Sequence, residues 1–318
     1  TNNVGAPISG QGFAKNFSYT VTQNATADLP GFGPEFGVNS FTTNSQSVPA
    51  IARLSNGNFA VVWRSIAQDN DTGTSGGIYG RVFNQQGVAQ TSEFRISPLD
   101  DVSQNLPVVA ALSSGRFLVA YTDVSNGGDV YYRVVNADTT LGAVQSPHAA
   151  SANNEGSPRV AALSNGNVAI IWTDGTSGDV SARVIDGATG NPAAAAYTIN
   201  ATTTGTQTAQ DVASIGGGNF VAVWRDPANS GDILGRTGNA AGPVSAEFTV
   251  AGGTGAQVNA RVTGFADGSF AAATTDPNRD GDTGGQLNVY VQRFNSSGTS
   301  VVAQFRANAT ATGSQFSP

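Results

Sequence analysis

A unit of about fifty residues runs through this chain five times, and that repetition leaves room for few folds. Its clearest marker is a glycine turn feeding a continuous apolar run that ends in an aromatic. Ser55-Asn56-Gly57-Asn58-Phe59-Ala60-Val61-Val62-Trp63 returns as Ser114-Gly115-Arg116-Phe117-Leu118-Val119-Ala120-Tyr121 and as Asn165-Gly166-Asn167-Val168-Ala169-Ile170-Ile171-Trp172. It returns again as Gly218-Asn219-Phe220-Val221-Ala222-Val223-Trp224 and, more worn, as Asp267-Gly268-Ser269-Phe270-Ala271-Ala272-Ala273-Thr274. From Gly57 the marker glycine recurs after 58, 51, 52 and 50 residues, the period of propeller blades or stacked arrays.

Apolar runs bounded by Gly, Pro, Asn and Ser divide each copy into four short strands, A to D. Strand A follows a Gln-x-x-Pro lead-in, Gln46 to Pro49 in the first copy and Gln104 to Pro107 in the second. Proline suits the start of a strand, where no ladder donor is needed. Strand B is the marker, and its unbroken apolar character says that both its faces are covered. Strand C is Gly77-Ile78-Tyr79-Gly80-Arg81-Val82-Phe83 and its copies, and strand D is of the Glu93-Phe94-Arg95-Ile96 type. No segment has a helical period.

Four antiparallel strands per repeat is the content of a propeller blade, whereas a unit this short buries too little surface to stand alone. The expectation is an all-β chain, a β-propeller of about six four-stranded blades. It reads as one repeat domain over 1–318: closing strands in 1–44, repeats at 45–100, 101–152, 153–205, 206–255 and 256–312, and the start of another at 313–318. Both ends cut the unit, since Glu35-Phe36-Gly37-Val38-Asn39 matches strand D and Ser314-Gln315-Phe316-Ser317-Pro318 matches the lead-in to A. The last blade is expected to be composite, which removes exposed edges, or to be completed by a neighbouring molecule. An excerpt from a longer repetitive polypeptide would have the same phase.

Composition removes several function classes. Only 12% of the 318 residues are charged, the net charge is −7, and the 15 basic residues are scattered. With no basic stripe to neutralise phosphates, a nucleic-acid partner is not expected. There is no Cys, hence no disulfide, thiolate ligand or thiol nucleophile, and no Met, as expected of a processed or excised piece. No apolar run is long enough for a membrane span, and Thr1-Asn2-Asn3-Val4 does not open a signal peptide.

Acids recur in the loop between B and C, and the fullest version is Asp276-Pro277-Asn278-Arg279-Asp280-Gly281-Asp282. Oxygens at alternate positions can converge on a hard cation there, so Asp276, Asn278, Asp280 and Asp282 are candidate Ca2+ ligands. Leu287 stands where an EF-hand needs Glu, which excludes that motif. Asp69 and Asp71 form a second candidate pair. The shorter loops, with Asp123 and Asp129, Asp174 and Asp179, and Asp226 and Asp232, read as Asx-type turns. The Arg repeated in strand C (Arg81, Arg133, Arg183, Arg236, Arg293) reads as a structural part that caps turn carbonyls or pairs with an acid of a neighbouring blade, and Trp63, Trp172 and Trp224 as interblade core. The sole histidine, His148, has no evident Ser-His-Asp or metal-ligand constellation around it. A propeller hydrolase needs Arg, Tyr and Glu that break the repeat and converge on the axis; sialidase-type Asp boxes are absent.

The ordered series Gly57 to Trp63, an Asp-rich loop, Gly77 to Phe83, Glu93-Phe94 and Gln104 to Pro107 resembles the repeats of large secreted calcium-binding bacterial surface proteins of the RTX-associated type. The resemblance covers residues 35–318 and implies export without a cleaved signal, a place at the cell surface and calcium in the Asp loops. The chain departs from that pattern by lacking glycine-rich nonapeptides and by losing acids in its middle loops. The resulting expectation is a non-enzymatic extracellular protein. It would be a calcium-stabilised adhesive scaffold, surface layer or filament subunit that associates with itself or with other surface proteins. A glycan-binding lectin is the alternative, and a secreted glycoside hydrolase the third reading.

Overall fold

A computed structural model describes residues 35–68, 75–99, 102–124, 128–148, 154–253, 255–277, 287–309 and 314–315. The chain divides into two compact units, Thr1–Phe36 and Gly37–Pro318, and every strand described here belongs to the second. Five antiparallel sheets follow one another along the chain. The first is β1 (Gln46–Arg53), β2 (Phe59–Ile66), β3 (Gly76–Phe83) and β4 (Phe94–Arg95). The second is β5 (Gln104–Ala111), β6 (Phe117–Asp123) and β7 (Asp129–Val135), its outer strand reduced to bridges at Leu141 and Gln145. The third holds β8 (Gly156–Ala162), β9 (Val168–Thr173), β10 (Val180–Ile185) and β11 (Tyr197–Thr198). The fourth has β12 (Thr208–Gly216), β13 (Asn219–Asp226), β14 (Asp232–Asn239), β15 (Gly242–Pro243) and β16 (Phe248–Ala251). The fifth has β17 (Val258–Gly264), β18 (Phe270–Asp276), β19 (Asn288–Phe294) and β20 (Ser300–Arg306). Among the described residues there is no α-helix, as the apolar pattern predicts.

The marker glycine closes the first hairpin of each sheet. In the first, the Gly57 N–H donates to the Leu54 carbonyl at 3.0 Å, and the Asn58 N–H donates to the Asn56 side chain at 3.1 Å. Gly57 sits at φ 89°, a left-handed conformation that glycine adopts without strain. Gly166 and Gly268 repeat the turn at φ 87° and 83°.

The core is a series of layers between sheets. Val62, Ile78 and Ile96 of the first sheet meet Val119 and Tyr121 of the second. Leu118 and Tyr132 of the second meet Ile170 and Trp172 of the third. Ile171 and Val184 then meet Phe220 and Trp224, and Val221 and Val223 meet Phe270 and Phe294. The three middle marker strands, β6, β9 and β13, therefore send alternate side chains into the layers on both sides, which is why they are apolar without interruption. The first strands stand side by side, β1 against β5, β5 against β8, β8 against β12 and β12 against β17. They form one row, the inner strands, from which the other strands of each sheet follow.

Candidate axial site

The predicted calcium loops fall largely outside the described residues: Asp69, Asp71, Asn278, Asp280 and Asp282 all do, and only Asp276 is placed. Asp276 ends β18, buried, in register with Asn288. In two shorter loops the Asx reading holds. Asp174 accepts the Thr176 and Ser177 N–H groups at 2.9 and 3.0 Å, and Asp226 accepts that of Ala228 at 2.9 Å. The strand C arginines are caps in four sheets. Arg183, for example, donates from Nε to the Ala194 carbonyl and from Nη1 to the Pro147 carbonyl of the preceding sheet, both at 2.9 Å. The fifth departs, with Arg293 pairing with Asp267 at 2.6 Å. Trp63, Trp172 and Trp224 are buried.

The inner strands carry what the sequence reading missed. Each has a register shift near its start, and in four the bulge holds a non-glycine residue in the left-handed region: Val48 (φ 52°), Leu106 (49°), Ser157 (53°) and Asn259 (54°). Bulges re-aim the side chains that follow them, and a left-handed Val or Leu is backbone strain held by its surroundings. The next common register position lies opposite Val62, Ala120, Ile171, Val223 and Ala273. Its occupants are Ala50, Val108, Arg159, Asp211 and Arg261. The first two sheets are apolar here, and the last three place a cation, an anion and a cation side by side.

Each charged residue leans on backbone nearby. Arg159 donates from Nε to the Gln210 carbonyl on β12 and from Nη1 to its neighbour Pro158, both at 2.8 Å. Asp211 accepts the Val262 N–H on β17 through Oδ2 at 2.9 Å, and Arg261 donates from Nη1 to the Ala260 carbonyl at 2.9 Å. Arg159 and Asp211 are half-buried and Arg261 is exposed. Burial pushes the Asp211 carboxyl above the usual carboxylate range, against the opposing pull of the Val262 and Val212 N–H groups and of Arg261 and Arg159. Burial and the like charge of Arg261 push the Arg159 guanidinium down, and Asp211 pulls it back. The cluster thus combines two guanidiniums able to hold an anion with a carboxyl able to move a proton. The signal was available in the sequence, as the only charged residues at that strand A position, but it is invisible when repeats are aligned on strand B.

His148 also proves to have a constellation, with ligand atoms of Asp129 and Glu155 close by. Residues from two repeats build it, so no local sequence pattern marks it. Among the described residues, no helix is long and apolar enough to cross a membrane.

No protein-family model matches the chain, and no characterised protein matches it in sequence. Solved structures do resemble it in fold. A mutant of the NanB sialidase from Streptococcus pneumoniae aligns with a TM-score of 0.57 at 12% identity, over 91% of this chain and 65% of that one. The leech intramolecular trans-sialidase, in complex with 2,7-anhydro-Neu5Ac, gives 0.54 at 11%, over 84% and 60%. A polysaccharide lyase of family PL25, an ulvan lyase bound to a GlcA-containing saccharide, gives 0.54 at 13%, over 82% and 71%. The chain spans about two thirds of the sialidases or less. At such identities the likeness establishes a β-propeller-type fold. It also overturns the expectation of a non-enzymatic adhesive scaffold, surface layer or filament subunit, because this architecture is one that glycan-active enzymes use. The repeat is also broken on the first strands, where Arg159, Asp211 and Arg261 stand at the position of Ala50 and Val108.

Proposed function

We propose that this chain is a carbohydrate-active enzyme whose site is the axial group Arg159, Asp211 and Arg261 and whose substrate is an acidic glycan. The observation that carries the reading is the break in the repeat: two guanidiniums flank a desolvated carboxyl at a position that is Ala50 and Val108 elsewhere. The fold likeness to sialidases and to an ulvan lyase supports glycan chemistry. Arg159 and Arg261 would hold the sugar carboxylate, a planar anion that suits the guanidinium fork.

The chemistry of the group favours elimination over hydrolysis. Glycoside hydrolysis ordinarily uses two carboxyl groups, and among the described residues the inner strands present one, Asp211. Elimination from a uronate needs its carboxylate neutralised and one base. Asp211 would take the proton from the carbon bearing the carboxylate, that C–H electron pair would form the new C=C bond, and the glycosidic oxygen would leave with the electrons of its C–O bond and take up a proton from water. A carboxyl with a raised pKa is a stronger base once ionised.

The test is incubation with uronate-rich and sialylated polysaccharides, following the absorbance of unsaturated sugar ends beside that of new reducing ends. Unsaturated ends are expected, with a loss of about a hundredfold or more in rate for Arg159→Gln and Arg261→Gln. Reducing ends without unsaturation would replace elimination by hydrolysis, and binding without either product would reduce the site to a lectin. In the same reading the propeller has about six blades, one beyond the five described sheets. The protein acts outside the cell, and the loop beginning at Asp276 takes calcium. Top views in electron microscopy count the blades, and a melting temperature unmoved by calcium chelation would remove the calcium claim.

A further inference from the structure

Where one sheet hands over to the next, three register positions meet: the start of strand C, the third residue after the strand D pairing position, and the lead-in to the next strand A. In the third sheet these are Asp179, Asn200 and Gln207; Asn200 Nδ2 donates to Asp179 Oδ1 at 2.7 Å, and Asn200 Oδ1 accepts the Val180 N–H at 2.7 Å. In the fifth they are Asn288, Asn308 and Gln315, where Asn308 Nδ2 donates to Asn288 Oδ1 at 2.8 Å and to Gln315 Oε1 at 3.0 Å. The lead-in is Gln at 46, 104, 207, 257 and 315. Only between the second and third sheets is it an acid, Glu155, and there the chain's single histidine, His148, stands beside Asp129 at the position held by Ser97, Asn200, Ala251 and Asn308 in the other sheets.

Both exceptions fall at one junction, around one buried carboxylate. Ligand atoms of Asp129, His148 and Glu155 all lie within 4.8 Å of one another, with His148 Nε2 and Glu155 Oε2 at 3.9 Å. Asp129 is 5% exposed and Glu155 3%. Asp129 Oδ2 accepts the Tyr131 hydroxyl at 3.4 Å, while its buried Oδ1 has no hydrogen-bond partner among the described residues. Asp123, also buried and in register with Asp129, adds a third carboxylate, to which Gln104 Nε2 donates at 3.0 Å. Carboxylates gathered away from water around one imidazole call for a cation.

We propose that Asp129, His148 and Glu155 bind one zinc ion that clamps the second sheet to the third. One nitrogen and two carboxylate oxygens suit zinc, whereas calcium takes oxygens alone. Tetrahedral zinc holds ligand atoms about 3.3 Å apart, so side-chain rotation closes the separation. The Glu155 N–H already donates to the Gly128 carbonyl at 2.8 Å, so the third ligand is tethered beside the first. His148 lies 5.9 Å from the Trp172 ring, which makes tryptophan fluorescence a local reporter.

The experiment uses the full chain, stripped of metal by chelator and dialysed, then titrated with ZnCl2 and separately with CoCl2. One equivalent of zinc is expected to raise the melting temperature and change the Trp172 emission, and cobalt to give the visible absorption of a low-coordinate site. His148→Asn and Glu155→Gln, which install the residues the third sheet carries at these positions (Asn200 and Gln207), are expected to fold and to lose all three responses. The proposal is overturned if zinc leaves the wild-type melting temperature unmoved, or if both variants respond to zinc as the wild type does. Should His148→Asn not fold, Glu155→Gln with the cobalt spectrum decides alone.

Discussion

Asp211 couples the axial site to stability through its proton. Burial favours the neutral carboxyl, so the folded chain holds that proton to a higher pH than the unfolded chain. Between the two ionisations the unfolded state binds fewer protons, and stability therefore falls as pH rises through that window and stays lower above it. Asp211→Asn removes the ionisation while keeping an oxygen for the Val262 N–H. The melting temperature of the variant should rise relative to wild type between pH 3 and pH 7, the pH that brackets the ordinary aspartate range, and its turnover should vanish. A difference that is the same at both pH values would refute the desolvation argument. The bulges offer a second residue-scale test. Val48 is β-branched, 40% exposed and left-handed at φ 52°, whereas the matching bulge of β17 uses Asn259 at 54°. Asparagine tolerates that region, so Val48→Asn should stabilise the chain by about 1 kcal/mol, measured by denaturant midpoint.

At the scale of the element, the second, third and fourth sheets are each fastened to the one before by the strand C arginine. Arg183 reaches the carbonyls of Ala194, in its own turn, and Pro147, in the preceding sheet. Lysine keeps the charge but has no planar fork to serve both acceptors, so Arg183→Lys should cost about 1–3 kcal/mol in a chemical-denaturation curve. A change within a few tenths would mean that the cap is redundant. These caps, the marker strands and the glycine turns were all legible in the sequence, because each follows from a local rule repeated five times. Two kinds of feature were not. A left-handed Val48 or Leu106 has no local signature, since nothing in a β-branched or leucine side chain asks for positive φ. Arg159, Asp211 and Arg261, like Asp129, His148 and Glu155, come from different repeats, and only the packing of one sheet against the next shows that they meet.

For the whole molecule, the charge distribution opposes the site. The chain carries a net −7, yet the axial group presents two guanidiniums around one carboxyl. On the proposed reading, an acidic glycan approaches a surface that repels it before it reaches donors that hold it. The two effects have different ranges: exposed charges farther apart than the Debye length, about 10 Å at 0.1 M salt, are largely screened, while close and partly buried pairs are screened much less. Raising salt from low to moderate concentration should then speed association of an acidic oligosaccharide, the reverse of what a basic groove does. Stopped-flow association rates on the wild type, with Arg159→Gln as control, measure this directly. An increase of a fewfold is expected for the wild type, with faster dissociation as the main defect of the variant. A monotonic fall in the association rate would show that local attraction governs the approach, and with it that the acidic exterior plays no part in selecting the substrate.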